Sequence, residues 1–225
     1  MGNSDFKEDW IKQGYSLTDK TSGAWDFSDE FLWARLKDWL SDSKNTEKPF
    51  ALIFDSIDTH QLDGWVPKDK RKYYDNRDAI KYASQLTYQF ISWAKAQKWY
   101  PNTLIVIAGD HPWQDPPLSK FTKLTTQDQH KEIYNLMLNV PNVQPGTVIT
   151  PAGGFTAMDY CPTVFSAMGI SFTSTLPNGS LSHDRIGLGT NLLSSTPTII
   201  SQEGIQPYFD ELFNKPSSLY QKLLW

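Results

Sequence analysis

The stretch Thr103-Leu-Ile-Val-Ile-Ala-Gly-Asp-His111 decides the reading of this 225-residue chain. Five apolar residues in a row, bounded by a polar turn before and by Gly109 after, have the length and composition of a strand buried on both faces. In open α/β sheets, functional groups collect just beyond the C-terminal ends of such strands. Asp110 and His111 stand at that position, with Gly109 expected to let the backbone turn sharply so that both side chains project. An oxygen donor beside a nitrogen donor suits Zn²⁺ or Mn²⁺ better than Ca²⁺, which favours oxygen alone. Read in isolation, an Asp-His pair at a strand end is more often a pair of satisfied turn residues than a metal site.

Working outward, residues 78–98 place Ile80, Ala83, Leu86, Phe90 and Ala94 along one helical stripe, and Pro101 is expected to stop that helix before the strand begins. Upstream, 27–40 (FSDEFLWARLKDWL) sets Phe27, Phe31, Leu32, Leu36, Trp39 and Leu40 at helical spacing. Ser28 is placed to cap this helix, and Asp29 and Glu30 sit in its first turn, where acids favour the helix dipole. Between the helices, Pro49 to Asp55 (PFALIFD) reads as a second buried strand, running into Asp58-Thr59-His60. Strand, helix and strand make a βαβ crossover. Downstream, 134–140 and 147–150 are strand-like. Residues 157–168 read as a helix opened by Asp159 and Pro162 and closed by Gly169. The tail after Leu176 is rich in Gly, Ser and Pro, with short helical pieces at 208–213 and 219–224. The fold class is therefore α/β, a mostly parallel sheet with helices on both faces. Residues 1–195 form the main domain and 196–225 a C-terminal tail.

Bulk properties exclude several classes. A net charge of −4 and a pI near 5.5 leave no basic footprint for nucleic acid. One cysteine, Cys161, rules out an internal disulfide and a cysteine-based zinc site; its place in an apolar helix pattern suggests core packing. The charged opening stretch is not expected to act as a signal peptide, and no run approaches the roughly 18 apolar residues of a spanning helix. His60 alone would be read as a surface or hydrogen-bonded residue, His130 as solvated, and His183 as a loop residue. Thr18 and Thr21 follow no apolar strand and do not look like elbow nucleophiles.

Five stretches in order, WDFSDEFLW (25–33), KPFALIFDSIDTH (48–60), WYPNTLIVIAGDH (99–111), FTAMDYCPTVFSAMGI (155–170) and RIGLGTNLLS (185–194), resemble the sulfatase-type branch of the alkaline phosphatase superfamily. Within it, the stretches resemble in particular the lipoteichoic acid synthase and phosphoglycerol transferase group. The resemblance implies an alkaline-phosphatase-like core, incomplete at its N-terminus. It implies that Asp110 and His111 are metal ligands, that His60 contacts the substrate's phosphate or head group, that 159–163 is structural, and that 185–190 is a loop near the fold's C-terminal edge. With no histidine in the loop after the GDH motif, one divalent ion is implied, Mn²⁺ ahead of Zn²⁺ or Ca²⁺.

The implied reaction is transfer or hydrolysis of a phosphodiester or related ester. Its substrate would be a phospholipid head group or a sulfated or phosphorylated glycan. The parent enzyme would be extracytoplasmic and membrane-anchored. In this family a metal-activated Thr or Ser is the nucleophile. It stands upstream of the segment resembling 25–60, so the chain is expected to lack it. The alternatives are a non-catalytic binding domain or pseudoenzyme that keeps the fold, and an incomplete domain that associates through unpaired strands.

Overall fold

The computed structural model describes residues 28–60, 64–73, 76–111, 133–149, 154–176 and 179–199, together with Lys12 and Pro151. The expectations for Thr18, Thr21, His130, Thr150 and the two tail helices fall outside these residues. The chain divides into two compact units, Met1–Thr103 with Trp113–Lys131, and Leu104–Pro112 with Glu132–Trp225.

The first unit is built on two helices. Helix α1 (Asp29–Ser41) starts at Ser28, whose hydroxyl accepts the Phe31 amide at 3.4 Å, as its sequence predicts. It ends at Asp42, whose own carboxylate caps the short helix α2 (Ser43–Thr46). Helix α3 (Asn76–Ala94) buries Ala79, Tyr82, Leu86, Phe90 and Ala94. The spacing of three and four holds, but the stripe is rotated from the expected one, so Ile80 faces out at 50 % exposure. The helix closes at Ala94 rather than near 98. The amides of Ala96 and Gln97 turn back to the carbonyls of Trp93 and Ala94, satisfying its last turn before Pro101 is reached.

Two small cores result. One joins Val66, Ala79, Tyr82 and Leu86; the other joins Leu40, Phe90 and Ala94 under a shell of aromatic rings. The Tyr82 hydroxyl donates to Glu30 Oε2 at 3.0 Å, tying α3 to α1. Tyr82→Phe is therefore expected to lower the stability of this unit by about 1 kcal/mol, the net worth of one such bond, measured by urea unfolding.

Residues 50–55 are not the buried strand that their composition suggests. They form no ladder, and Leu52 and Ile53 are exposed at 43 % and 101 %. The aromatic side chains of this segment are drawn into the helical core instead. Phe54 lies 4.3 Å from the Trp33 ring, and Phe50 meets Trp39 and Trp99 edge-on. Without this first strand, the anticipated βαβ crossover has nothing to cross to.

The second unit contains strand β1 (Ile105–Ala108) paired with β2 (Asn135–Leu138). The pairing is antiparallel, with Ile105 opposite Leu138 and Ala108 opposite Asn135. Two further pairs, β3 (Ser174–Thr175) with β4 (Leu181–Ser182) and β5 (Arg185–Ile186) with β6 (Gly189–Thr190), are also antiparallel. The expectation of a mostly parallel sheet is thus not met among the described residues. Ladder partners come from chain reversal, which needs no helical crossover. Residues 147–149 form no strand.

The segment 157–168 begins as a 3₁₀ turn, Ala157–Asp159, and continues as helix α4 (Tyr160–Ala167). Gly169, at φ 72°, closes it: its amide bonds the Ser166 carbonyl and the Ile170 amide bonds that of Phe165. Only a residue at ease in the left-handed region ends a helix this way without strain. Helix α4 buries Pro162, Thr163 and Ala167, which leaves Cys161 on the opposite side and exposed; core packing does not hold for it. No helix among the described residues is long and apolar enough to cross a membrane.

Candidate functional site

Strand β1 delivers Asp110 and His111 to the end of its ladder. The last rung is the Gly109 amide bonded to the Tyr134 carbonyl at 2.9 Å. Gly109 does not take a positive φ, so its part differs from the sharp turn anticipated. A Cβ there would sit 3.2 Å from the Ile133 Cβ, so a larger residue would require Ile133 to give by a few tenths of an ångström, and glycine eases that close approach. Beyond it, His111 Nε2 and Asp110 Oδ2 stand 3.3 Å apart, with side chains 46 % and 77 % exposed.

Two donors each about 2.1 Å from a common ion and 3.3 Å apart subtend an angle of roughly 104°, between the octahedral and tetrahedral values. The pair therefore fits neighbouring positions on one divalent cation. Among the described residues, no group of three or more His, Cys, Asp or Glu gathers into a metal cluster. The remaining positions would fall to water, substrate or other residues.

His60 belongs to the first unit and the Asp110–His111 pair to the second. His60 is exposed and follows a tight turn in which its amide donates to the Ile57 carbonyl at 2.8 Å. The turn is held from behind by residues whose part in it the sequence does not reveal. Asp29, fully buried, accepts the Ile57 amide at 2.7 Å and the Asp58 amide at 3.2 Å on Oδ1. In return its own amide donates to Asp58 Oδ2 at 2.8 Å. Asp58 is 6 % exposed. Burial, reinforced by the negative charge of Asp29, pushes its carboxyl up to about 7. Burial also raises Asp29, against the amides of Ile57 and Asp58, which favour its charged form. The sequence reading assigned Asp29 to a helix first turn, and it is that, but its carboxylate serves the His60 turn.

Asp159 is structural, as its sequence context indicates. It forms a reciprocal cap with Thr156 and accepts the Thr190 amide at 2.6 Å. This ties α4 to the β5–β6 hairpin that the RIGLGT stretch forms. His183 Nδ1 lies 3.2 Å from Thr173 Oγ1 and 3.3 Å from the Phe172 carbonyl, so it has local partners. An open cleft of about 650 Å³ in the second unit is lined by Asn142, Gln144, Ile149, Ser166 and Leu193 among others. None of its lining residues is ionisable, so it offers no acid–base or metal chemistry.

The sulfatase family model matches residues 2–170. Phosphoglycerol transferase I of Citrobacter koseri is 25 % identical over 203 residues, covering 87 % of this chain and 25 % of that protein. The protein of the same name from Salmonella paratyphi B is 27 % identical over 164 residues, covering 67 % of this chain and 21 % of its own length. That of Escherichia fergusonii is 26 % identical over 125 residues, or 52 % of this chain and 16 % of the relative. The chain thus spans about a quarter or less of the length of these relatives. No solved structure gives a significant match. With the family model covering most of its length, the chain belongs to the sulfatase family, within the alkaline phosphatase superfamily and its α/β fold.

Proposed function

We propose that this chain contributes a cation site and a phosphate contact to an enzyme that transfers or hydrolyses a phosphodiester, with a phosphoglycerol-bearing lipid head group as the preferred substrate class. The observation that carries the proposal is the Asp110–His111 pair at the tip of β1, with its donor atoms 3.3 Å apart. Family membership and the names of the relatives, phosphoglycerol transferase I, support the reaction class. One divalent ion is assigned to the pair, Mn²⁺ ahead of Zn²⁺, because one hard oxygen and one imidazole nitrogen suit it. Bound there, the ion would supply Lewis-acid stabilisation for charge on the non-bridging oxygens of the ester.

The residues of the chain do the rest of what we assign. Asp110 offers a carboxylate oxygen and His111 an imidazole nitrogen as ligands. His60 presents an exposed imidazole that can donate to a phosphate oxygen. We assign no residue of this chain as the nucleophile. We assign the parent enzyme to the cell envelope, extracytoplasmic and membrane-anchored, as a reading supported by the names of the relatives.

Calorimetric titration with Mn²⁺ tests the site. One ion per chain is expected, and Asp110→Ala or His111→Ala should each weaken binding at least about tenfold, a loss of about 1.4 kcal/mol or more for one ligand. A double variant that binds Mn²⁺ as the parent does would remove the site. Binding of a glycerophosphodiester without release of nitrophenol from a nitrophenyl phosphodiester would instead mark the chain as a non-catalytic binding domain.

A further inference from the structure

The turn that ends in His60 is braced by two buried carboxylates to which the proposed chemistry gives no part. Each accepts a hydrogen bond from the other's backbone amide, across 29 positions of sequence. The Asp58 carbonyl is fixed as well, accepting the Trp65 amide at 2.7 Å. The backbone two residues before His60 is therefore held from three directions. Asp29 Oδ2 is buried and has no hydrogen-bond partner among the described residues, an expensive arrangement for a charged oxygen unless it serves something.

We propose that Asp29 and Asp58 are positioning residues for His60, their interlocked carboxylates holding the 57–60 turn in the geometry that presents the imidazole to an anionic phosphoester. The proposal rests on His60 being a phosphate contact. Among the described residues, the groups that act on the pair are acidic or neutral. Glu30 and Asp29 act on Asp58, Asp55 acts on Asp29, and Tyr82, hydrogen-bonded to Glu30, feels Asp58 and Asp69. None of these interactions is with a cation, so among the described residues the pair has no positive partner to hold two negative charges. The low-cost state carries one proton, and burial together with the charge of Asp29 puts that proton on Asp58 up to about pH 7. Losing it leaves two charges behind the turn, which then loosens its hold on His60.

The sign of the pH effect follows. The folded chain holds the Asp58 proton more tightly than the unfolded chain does, so acid stabilises the brace. This contribution is complete below about 4, the ordinary carboxylate value, and is lost as the pH rises through about 7.

The test is a titration of the full chain by NMR, with carboxyl carbons and backbone amides observed together, beside binding of a glycerophosphodiester whose charge is constant between pH 6 and 8. The Asp58 carboxyl should titrate near 7, and the amides of Ile57 and His60 should move with the same midpoint. In Asp58→Asn, which keeps an acceptor for the Asp29 amide and carries no charge, those amides should lose that midpoint. A pH dependence of binding that parent and variant share is not assigned to the pair. The parent should weaken several-fold more than the variant, and that difference belongs to the pair. An Asp58 carboxyl titrating near the ordinary 4, or Ile57 and His60 amides indifferent to it, overturns the positioning role even if ligand binds. The parent-chain measurement stands whether or not the variant folds. Coupled titration with no ligand binding in either protein overturns instead the role of His60, and with it the functional half of the proposal.

Discussion

Asp159→Ala should destabilise the second unit by about 3 kcal/mol, although nothing in the proposed chemistry touches this residue. Its carboxylate is 2 % exposed and accepts three hydrogen bonds. They come from the Thr156 amide at 2.7 Å, the Thr156 hydroxyl at 3.3 Å and the Thr190 amide at 2.6 Å. Alanine leaves the Thr190 amide, in a fully buried residue, and the Thr156 amide without an acceptor. Each stranded group costs roughly 1–3 kcal/mol. The loss is not total, because a second tie survives: Thr163 donates to the Asp159 carbonyl at 2.5 Å and accepts the Leu192 amide at 2.9 Å. Asp159→Asn, which retains an acceptor oxygen for one of the two amides, should cost about half as much. Urea unfolding followed by circular dichroism reads both. Equal stability of parent and alanine variant would show that the clasp between α4 and the β5–β6 hairpin is not formed.

Gly64→Ala should cost the first unit about 3 kcal/mol, through two effects that add. Gly64 sits at φ 62°, where a side chain costs roughly 1–2 kcal/mol. The added methyl would also meet the Ala79 Cβ on helix α3 and lie 2.7 Å from the Asp58 carbonyl oxygen. Neither is the end of a flexible side chain, so helix or turn must move, at roughly 1–3 kcal/mol. Gly146→Ala provides the control. Its φ is 81° but nothing lies within 4 Å of the new methyl, so only the conformational part should appear. Differential scanning calorimetry of the two variants separates crowding from backbone strain. Because the Asp58 carbonyl is one of the atoms crowded, Gly64→Ala should also shift the His60 amide resonance, and Gly146→Ala should not.

What could be foreseen from the sequence was local. The Ser28 cap, the acid-rich first turn, the Gly169 stop and the Asp159 cap each depend on residues within five positions of one another, and each is found. Strand β1 was legible as an apolar run, but its partner was not. An apolar run says that a strand is covered, not which way its neighbour runs. The 50–55 segment failed for a related reason. Its composition promised burial, while its aromatic residues found a better surface against Trp33, Trp39 and Trp99 than in a sheet. At the site, Asp110 and His111 are found side by side as their adjacency implies, and Gly109 eases the close approach of Ile133 rather than making a turn. The Asp29–Asp58 brace was beyond sequence reasoning. A carboxylate in a first turn already has an adequate explanation there, and the two residues are joined only by the packing of the loop on α1.

The aromatic shell around Phe90 has a spectroscopic consequence. Of nine tryptophans, eight lie in the sequence of the first unit and the ninth is Trp225. The described residues of the second unit contain no indole. Trp33 and Trp93 contact Phe90, and Trp99 lies 6.0 Å from Trp93. Indole emission therefore reports mainly the melting of the helical unit, while the clasp around Asp159 can come apart with little change in that signal. Two chromophoric signals, one dominated by tryptophan and one by the backbone, would separate the unfolding of the two halves of a single chain without a label.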